Sequence, residues 1–131
     1  MKSEDLKLLA MGVGLMRIGI GTIAIVAPGL AMRLWLGADG KSDQVKAMGL
    51  AVGARDVVIG LGTVQALRGD GDPSLWLKAG AIADAADGIG TFRTFRRTPA
   101  NPRMLAGLMA ASFAAIGWML SRQDELNRKT V

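Results

Sequence analysis

Three residue types with versatile side-chain chemistry are missing from this sequence: its 131 residues include no cysteine, no histidine and no tyrosine. The chain therefore has no disulfide, no cysteine nucleophile and no histidine base, and it lacks the usual ligands for zinc, haem and iron–sulfur clusters. Acid–base chemistry is left to Asp, Glu, Lys and Arg. We expect neither a cofactor nor a resident metal ion.

The charged residues are unevenly distributed along the chain. Half of the residues are hydrophobic and mean hydropathy is +0.31, while 21% of the residues are charged. Most charges lie in short segments between apolar runs, as in a polytopic membrane protein. A net charge of +5 is also found in nucleic-acid-binding proteins. Here the basic residues lie beside apolar runs, so we expect anionic lipid headgroups as partners and no nucleic acid.

The apolar runs predict an all-α fold, a four-helix transmembrane bundle formed by a single integral membrane domain of residues 1–131. Each run has about 18–22 residues, or roughly 27–33 Å of helix, which is enough to cross a hydrocarbon core of about 30 Å. Trp35, Trp76 and Trp118 fall near predicted span ends, where an indole ring suits the membrane interface. A soluble helical bundle is the alternative, but it would have too little polar surface. The predicted spans are 6–27, 46–67, 75–95 and 104–121.

The first two connections between the spans have different characters. Pro28-Gly29 ends the first span, and the segment from Leu30 to Leu36 predicts a short amphipathic helix along the membrane surface. The second connection, residues 68–73, has turn chemistry. Its Asp-Gly-Asp sequence lacks the remaining ligand spacing of a calcium loop, so a plain turn is favoured.

Both the third connection and the N-terminus bear on membrane placement. Arg93, Arg96 and Arg97 form a basic cluster that we interpret as a topology anchor in contact with anionic headgroups, rather than as a nucleic-acid patch. The first apolar run is interrupted by Arg17 and is longer than the apolar region of a signal peptide. We therefore expect it to be retained as a span.

Small and ionisable residues form a stripe along each of the first three spans. The spacing is +4, +3, +4, +3, which keeps one narrow helix face towards a neighbour. Gly, Ala and Thr on such a face predict close helix packing. The stripes are Ala10, Gly14, Arg17, Gly21 and Ala24 in the first span, Gly49, Gly53, Asp56, Gly60 and Thr63 in the second, and Gly80, Asp84, Asp87, Thr91 and Thr94 in the third.

The charged members of these stripes predict a polar site at the middle of the membrane. At about 1.5 Å per residue, Arg17, Asp56, Asp84 and Asp87 all come close to the midplane, and Arg55 shares the level of Asp56. Two Arg and three Asp would carry a charge of minus one, so one carboxyl is expected to be neutral, most simply in the Asp84/Asp87 pair. The alternative is a set of ion pairs that fixes helix register without any chemistry.

These residues also carry a family resemblance. Arg17, the Gly-Ala-Arg-Asp sequence ending at Asp56, and the Asp84/Asp87 pair resemble those of a family of small four-span bacterial membrane proteins of unknown function. More loosely, the chain resembles the DoxX-type four-helix membrane proteins. The resemblance implies a four-helix bundle and no established activity. We expect a multi-pass protein of the bacterial cytoplasmic (inner) membrane.

The leading functional hypothesis is a mid-bilayer pocket that binds a lipophilic molecule bearing a polar group. Its enzymatic version is cofactor-independent acid–base catalysis, either an isomerisation or a hydration such as epoxide opening. Asp56 would be the base, Asp84 or Asp87 the acid, and Arg17 and Arg55 would orient the carboxylates.

Two other classes of function remain open at this point. The first is an assembly subunit that packs against a larger membrane complex through the small-residue face of the fourth span, formed by Gly107, Ala110, Ala114 and Gly117. The second is a small transporter, for which four spans would have to oligomerise. We therefore expect either a homo-oligomer or a larger membrane complex.

Overall fold

The computed structural model describes residues 3–36, 41–69, 71–94 and 100–129, with side chains for 4–35, 41–69, 71–93 and 107–126. Within these residues the fold is all-α, with five helices and no strand. The helices are α1 (Ser3–Val26), α2 (Pro28–Leu36), α3 (Asp43–Arg68), α4 (Pro73–Thr94) and α5 (Ala100–Lys129). The most extensive packing joins α1 to α3 and α4 to α5, and α3 also contacts α2 and α4.

The predicted spans correspond to helices α1, α3, α4 and α5. The first three agree with the predicted bounds to within three residues, whereas α5 runs several residues beyond both ends of the predicted 104–121. Among the described residues, two helical stretches are long and apolar enough to cross a membrane, Glu4–Val26 and Asp43–Arg68. The prediction of helices is thus confirmed, and the prediction of four membrane crossings remains a prediction.

Glycines allow the backbones of α1 and α3 to touch. A Cβ built on Gly21 would lie 2.6 Å from the carbonyl oxygen of Gly53, and one on Gly60 would lie 2.6 Å from the carbonyl oxygen of Gly14. All five stripe residues in α1 and all five in α3 are buried. The predicted packing faces of these two helices are confirmed.

The other helix contacts also depend on glycine. The indole of Trp76 in α4 covers Gly62 of α3, leaving no room for a Cβ, and the Phe92 ring covers Gly107 in the same way. Gly117 lies against the carbonyl oxygen of Leu77. The small-residue face of α5 therefore packs on α4 of the same chain, and the assembly surface predicted there is occupied internally.

Helix α2 follows α1 with almost no interruption. It begins at Pro28, where a missing N–H costs nothing in a first turn. Met32 is buried, and both Met32 and Pro28 contact the position where Gly49 of α3 would carry a Cβ. The predicted short helix is present, and it is packed onto α3.

The connections follow local chemistry where the structure describes them. Asp72 caps α4, because its Oδ1 accepts the backbone N–H of Ser74 at 3.0 Å and the Ser74 hydroxyl at 2.7 Å. This carboxylate thus has the capping role of a turn residue. Arg93 is exposed near the end of α4, while Arg96 and Arg97, predicted to contact lipid headgroups, lie outside the described residues.

Candidate functional site: an Arg/Asp ladder beside an apolar cavity

Five ionisable side chains from three helices form one continuous series of ion pairs, which we call the Arg/Asp ladder: Asp84, Arg17, Asp56, Arg55 and Asp87. Arg17 of α1 donates from Nη1 to Asp56 Oδ1 at 3.1 Å and from Nη2 to Asp84 Oδ2. One guanidinium therefore joins α1 to both α3 and α4. The convergence predicted from the sequence is confirmed for Arg17, Asp56 and Asp84.

The second half of the ladder joins α3 to α4 alone. Arg55 donates from Nη1 and Nη2 to the two oxygens of Asp87, at 2.9 and 2.8 Å. It also donates from Nε and Nη2 to Asp56 Oδ1, at 3.3 and 3.1 Å. Bidentate pairing of this kind is the strong, directional form of an Arg–carboxylate contact. Asp84 and Asp87, the pair in which we expected one carboxyl to be neutral, therefore bind different arginines.

Burial decreases along the ladder. The side chains of Arg17, Asp56 and Asp84 are 8–10% exposed, whereas Arg55 is 29% and Asp87 is 24% exposed. The Arg17 end is therefore the firmly enclosed end, and the Arg55–Asp87 pair lies nearer to the surface of the chain.

The local sequence makes room for these groups. A Cβ on Gly80 of α4 would lie 2.9 Å from Nη2 of Arg17, so glycine at this position lets the guanidinium reach Asp84 one turn further on. Asp84 and Asp87 are separated by three residues, which puts them on one face of α4. The same helix faces therefore hold both the small residues that allow close packing and the charged residues of the ladder.

A cavity of about 390 Å³ adjoins the ladder. This is within the size range of small-molecule sites. Asp56 and Asp87 line it, together with apolar side chains from α1, α2, α3 and α5. These apolar residues are Ile20, Ile23, Ala24, Ala31, Met32, Leu34, Trp35, Val52 and Met109.

Helix α2 supplies a wall of the cavity that we did not predict from the sequence. We expected α2 to lie along the membrane surface and Trp35 to be an interface residue, but Trp35 and Met32 line the cavity. The sequence did show that one side of α2 is apolar, and such a side has to pack against protein or lipid. Nothing in the sequence pairs that side with α1 and α3 rather than with lipid.

The predicted site residues divide into two groups. Asp56 and Asp87 are at the cavity, while Arg17, Arg55 and Asp84 join the ladder without being among the described residues that line it. Among the described residues, no group of three or more carboxylates is placed to hold a metal ion. The ladder carboxylates already accept guanidinium hydrogen bonds.

Comparison with known proteins does not assign this chain to a family. Neither the protein-family models, nor the curated proteins, nor the solved structures contain a match to the chain. The resemblance to small four-span bacterial membrane proteins therefore stays a prediction, and the function has to be argued from the ladder and the cavity.

Proposed function

We propose that this protein is a four-span membrane protein whose cavity binds a lipophilic molecule bearing a polar group. The observation that carries the proposal is an apolar cavity of about 390 Å³ with two carboxylates in its wall. The apolar side chains would hold the body of the ligand, and Asp56 and Asp87 would orient its polar group.

Two features support the placement in a membrane. Large apolar side chains face outward on every helix, including Leu8 of α1, Ile82 of α4 and Met119 of α5, each at least 63% exposed. The apolar stretch of α1 is only 28% buried, unlike the core helix of a soluble protein. The charged ladder, in contrast, faces inward, as intramembrane ionisable groups do.

An acid–base enzyme is the more specific version of this proposal. For hydration of an epoxide, Asp56 would accept a proton from water while the water oxygen attacks a ring carbon. The ring C–O bond breaks, and the released oxygen takes a proton from Asp87. Asp87 now accepts two hydrogen bonds from Arg55, so it would need to acquire a proton before each turnover.

Turnover of a lipophilic epoxide tests the enzymatic version. With 1,2-epoxydodecane and protein in lipid nanodiscs, we expect diol formation that falls by about 100-fold or more in Asp56→Asn, as for the loss of a general base. Asp43→Asn, at an exposed carboxylate of the same helix, is the control. Diol formed equally by wild type and Asp56→Asn would remove the catalytic role but not the binding role.

Filling the cavity tests binding itself. Val52 lines the cavity, while the adjacent Ala51 is exposed, so Val52→Phe places an aromatic ring in the cavity and Ala51→Phe places the same ring on the outer surface of α3. We expect 1-bromoadamantane to quench part of the tryptophan fluorescence saturably in wild type and Ala51→Phe, through Trp35 in the cavity wall, and to bind at least tenfold more weakly to Val52→Phe. Equal affinity in all three proteins would contradict the proposal.

A further inference from the structure

We propose that the ligand of the cavity is a lipophilic cation, an amine or quaternary ammonium group carried on an apolar body. This inference rests on the proposed binding function and names its ligand class. It starts from the charges in the cavity wall. Of the described residues that line the cavity, Asp56 and Asp87 are the only two that are charged, and both are acidic.

The charge balance of the ladder points the same way. Three carboxylates share two guanidinium groups, so the fully ionised ladder carries one excess negative charge. In apolar surroundings such a charge is costly unless it is paired. A monovalent cation in the cavity would pair it, whereas an anionic ligand would add to the excess.

The hydrogen bonds leave a receptor for an ammonium group. The donors from Arg17 and Arg55 to Asp56 all converge on Oδ1. Among the described residues none donates to the other oxygen, Oδ2. Asp87 accepts Arg55 at both of its oxygens, which is the pattern of an ionised carboxylate. Asp56 thus keeps an oxygen for a ligand N–H while both acids supply negative charge.

The remaining wall suits the rest of a lipophilic cation. Trp35 lies in the wall, and an indole face attracts cations, including quaternary ammonium groups that lack N–H donors. The other described lining residues are aliphatic or thioether side chains that accommodate an apolar body. Acidic residues, an aromatic ring and apolar walls in one cavity favour a lipophilic cation over a neutral lipid.

Three probes of one shape test the inference. Adamantan-1-amine, adamantan-1-ol and adamantane-1-carboxylate share one apolar cage and differ in charge, and the amine is protonated at pH 7, as a lysine side chain is. Calorimetric titration of the full-length protein in nanodiscs should show the amine binding at least tenfold more tightly than the alcohol. We expect no measurable binding of the carboxylate.

Variants assign that preference to the cavity. Asp87→Asn should reduce the amine-to-alcohol preference to threefold or less, while Asp43→Asn, which changes an exposed carboxylate of α3, should leave it intact. Val52→Phe keeps every charge and should weaken the amine and the alcohol together, which retains a test if Asp87→Asn does not fold.

The outcomes separate this inference from the binding function. Equal or tighter binding of the alcohol, with loss in Val52→Phe, would overturn the cation preference and leave a neutral lipophile site. An amine preference that survives Asp87→Asn, together with amine and alcohol affinities that Val52→Phe leaves unchanged, would overturn the assignment to this cavity. No binding of any probe to wild type would contradict both proposals.

Discussion

At the scale of single residues, Arg17 is the group on which the ladder depends most. Its guanidinium is the only described contact that joins α1 to the carboxylates of both α3 and α4. A buried ion pair adds little net stability when compared with apolar residues, but removing one partner leaves the other charge buried and unpaired. Arg17 therefore fixes the arrangement of three helices even if it adds little to their stability.

Replacing Arg17 measures this dependence. Arg17→Gln leaves Asp84 without its arginine, so we expect a loss of about 3–5 kcal/mol in the free energy of unfolding. Arg33→Gln, at an exposed arginine of α2, should change stability by no more than about 0.5 kcal/mol. Unfolding by sodium dodecyl sulfate, followed by circular dichroism, would measure both. Similar values for the two variants would contradict the role of Arg17.

At the scale of helices, the contact of α1 with α3 depends on glycine. A Cβ on Gly21 would lie 2.6 Å from the Gly53 carbonyl oxygen, a backbone atom that cannot rotate away. The same helix offers a matched position, because a Cβ on Gly19 would meet no atom within 4 Å. Two alanine substitutions two residues apart therefore separate packing from helix propensity.

Gly21→Ala should lower the free energy of unfolding by about 1–3 kcal/mol, as overpacking does. Gly19→Ala should be neutral or stabilising by up to about 1 kcal/mol, because alanine favours helix. The same detergent titration gives both values. A Gly21→Ala protein as stable as Gly19→Ala would show that the backbones of α1 and α3 are not in contact.

Helix faces were predictable from the sequence to different extents. The +4, +3 spacing identified the buried faces of α1 and α3 because it follows from helix geometry alone. The same spacing predicted that Arg17 lies close to Asp56 and Asp84, as the structure shows. A pocket was expected beside the carboxylates, but the wall that α2 supplies was not predictable, since it depends on how this short helix packs onto α3 through Met32 and Gly49. The packing of the small-residue face of α5 against α4 was not predicted for a similar reason. Residue spacing identifies a packing face but does not identify the helix that packs against it.

At the scale of the whole molecule, the ladder separates two apolar regions. On one side Leu6, Ala10, Leu77 and Leu120 form a closed core. On the other side lies the cavity, whose wall includes Leu34, a residue that is 71% exposed. A side chain that lines the cavity and also faces outward marks an opening at α2. We therefore infer that a lipophilic ligand would enter beside α2, from the membrane.

The proposed four membrane crossings predict which positions of the chain are accessible from each side of the membrane. The antiparallel pairs put Gln44 and Arg93 at one end of the molecule, and Gly69 and Gln123 at the other. Val58, close to Asp56 in α3 and 57% exposed, faces outward near the level of the ladder. The chain has no natural cysteine, so single cysteines at these exposed positions report without background.

Labelling of those five single-cysteine variants by a membrane-impermeant maleimide in sealed vesicles tests the central claim most directly. We predict that Gln44→Cys and Arg93→Cys react from one side only, and that Gly69→Cys and Gln123→Cys react from the other. Val58→Cys should react from neither side until detergent dissolves the membrane. Rapid reaction of Val58→Cys in intact vesicles, or of Arg93→Cys on the same side as Gly69→Cys, would contradict a charged ladder enclosed within four membrane-spanning helices.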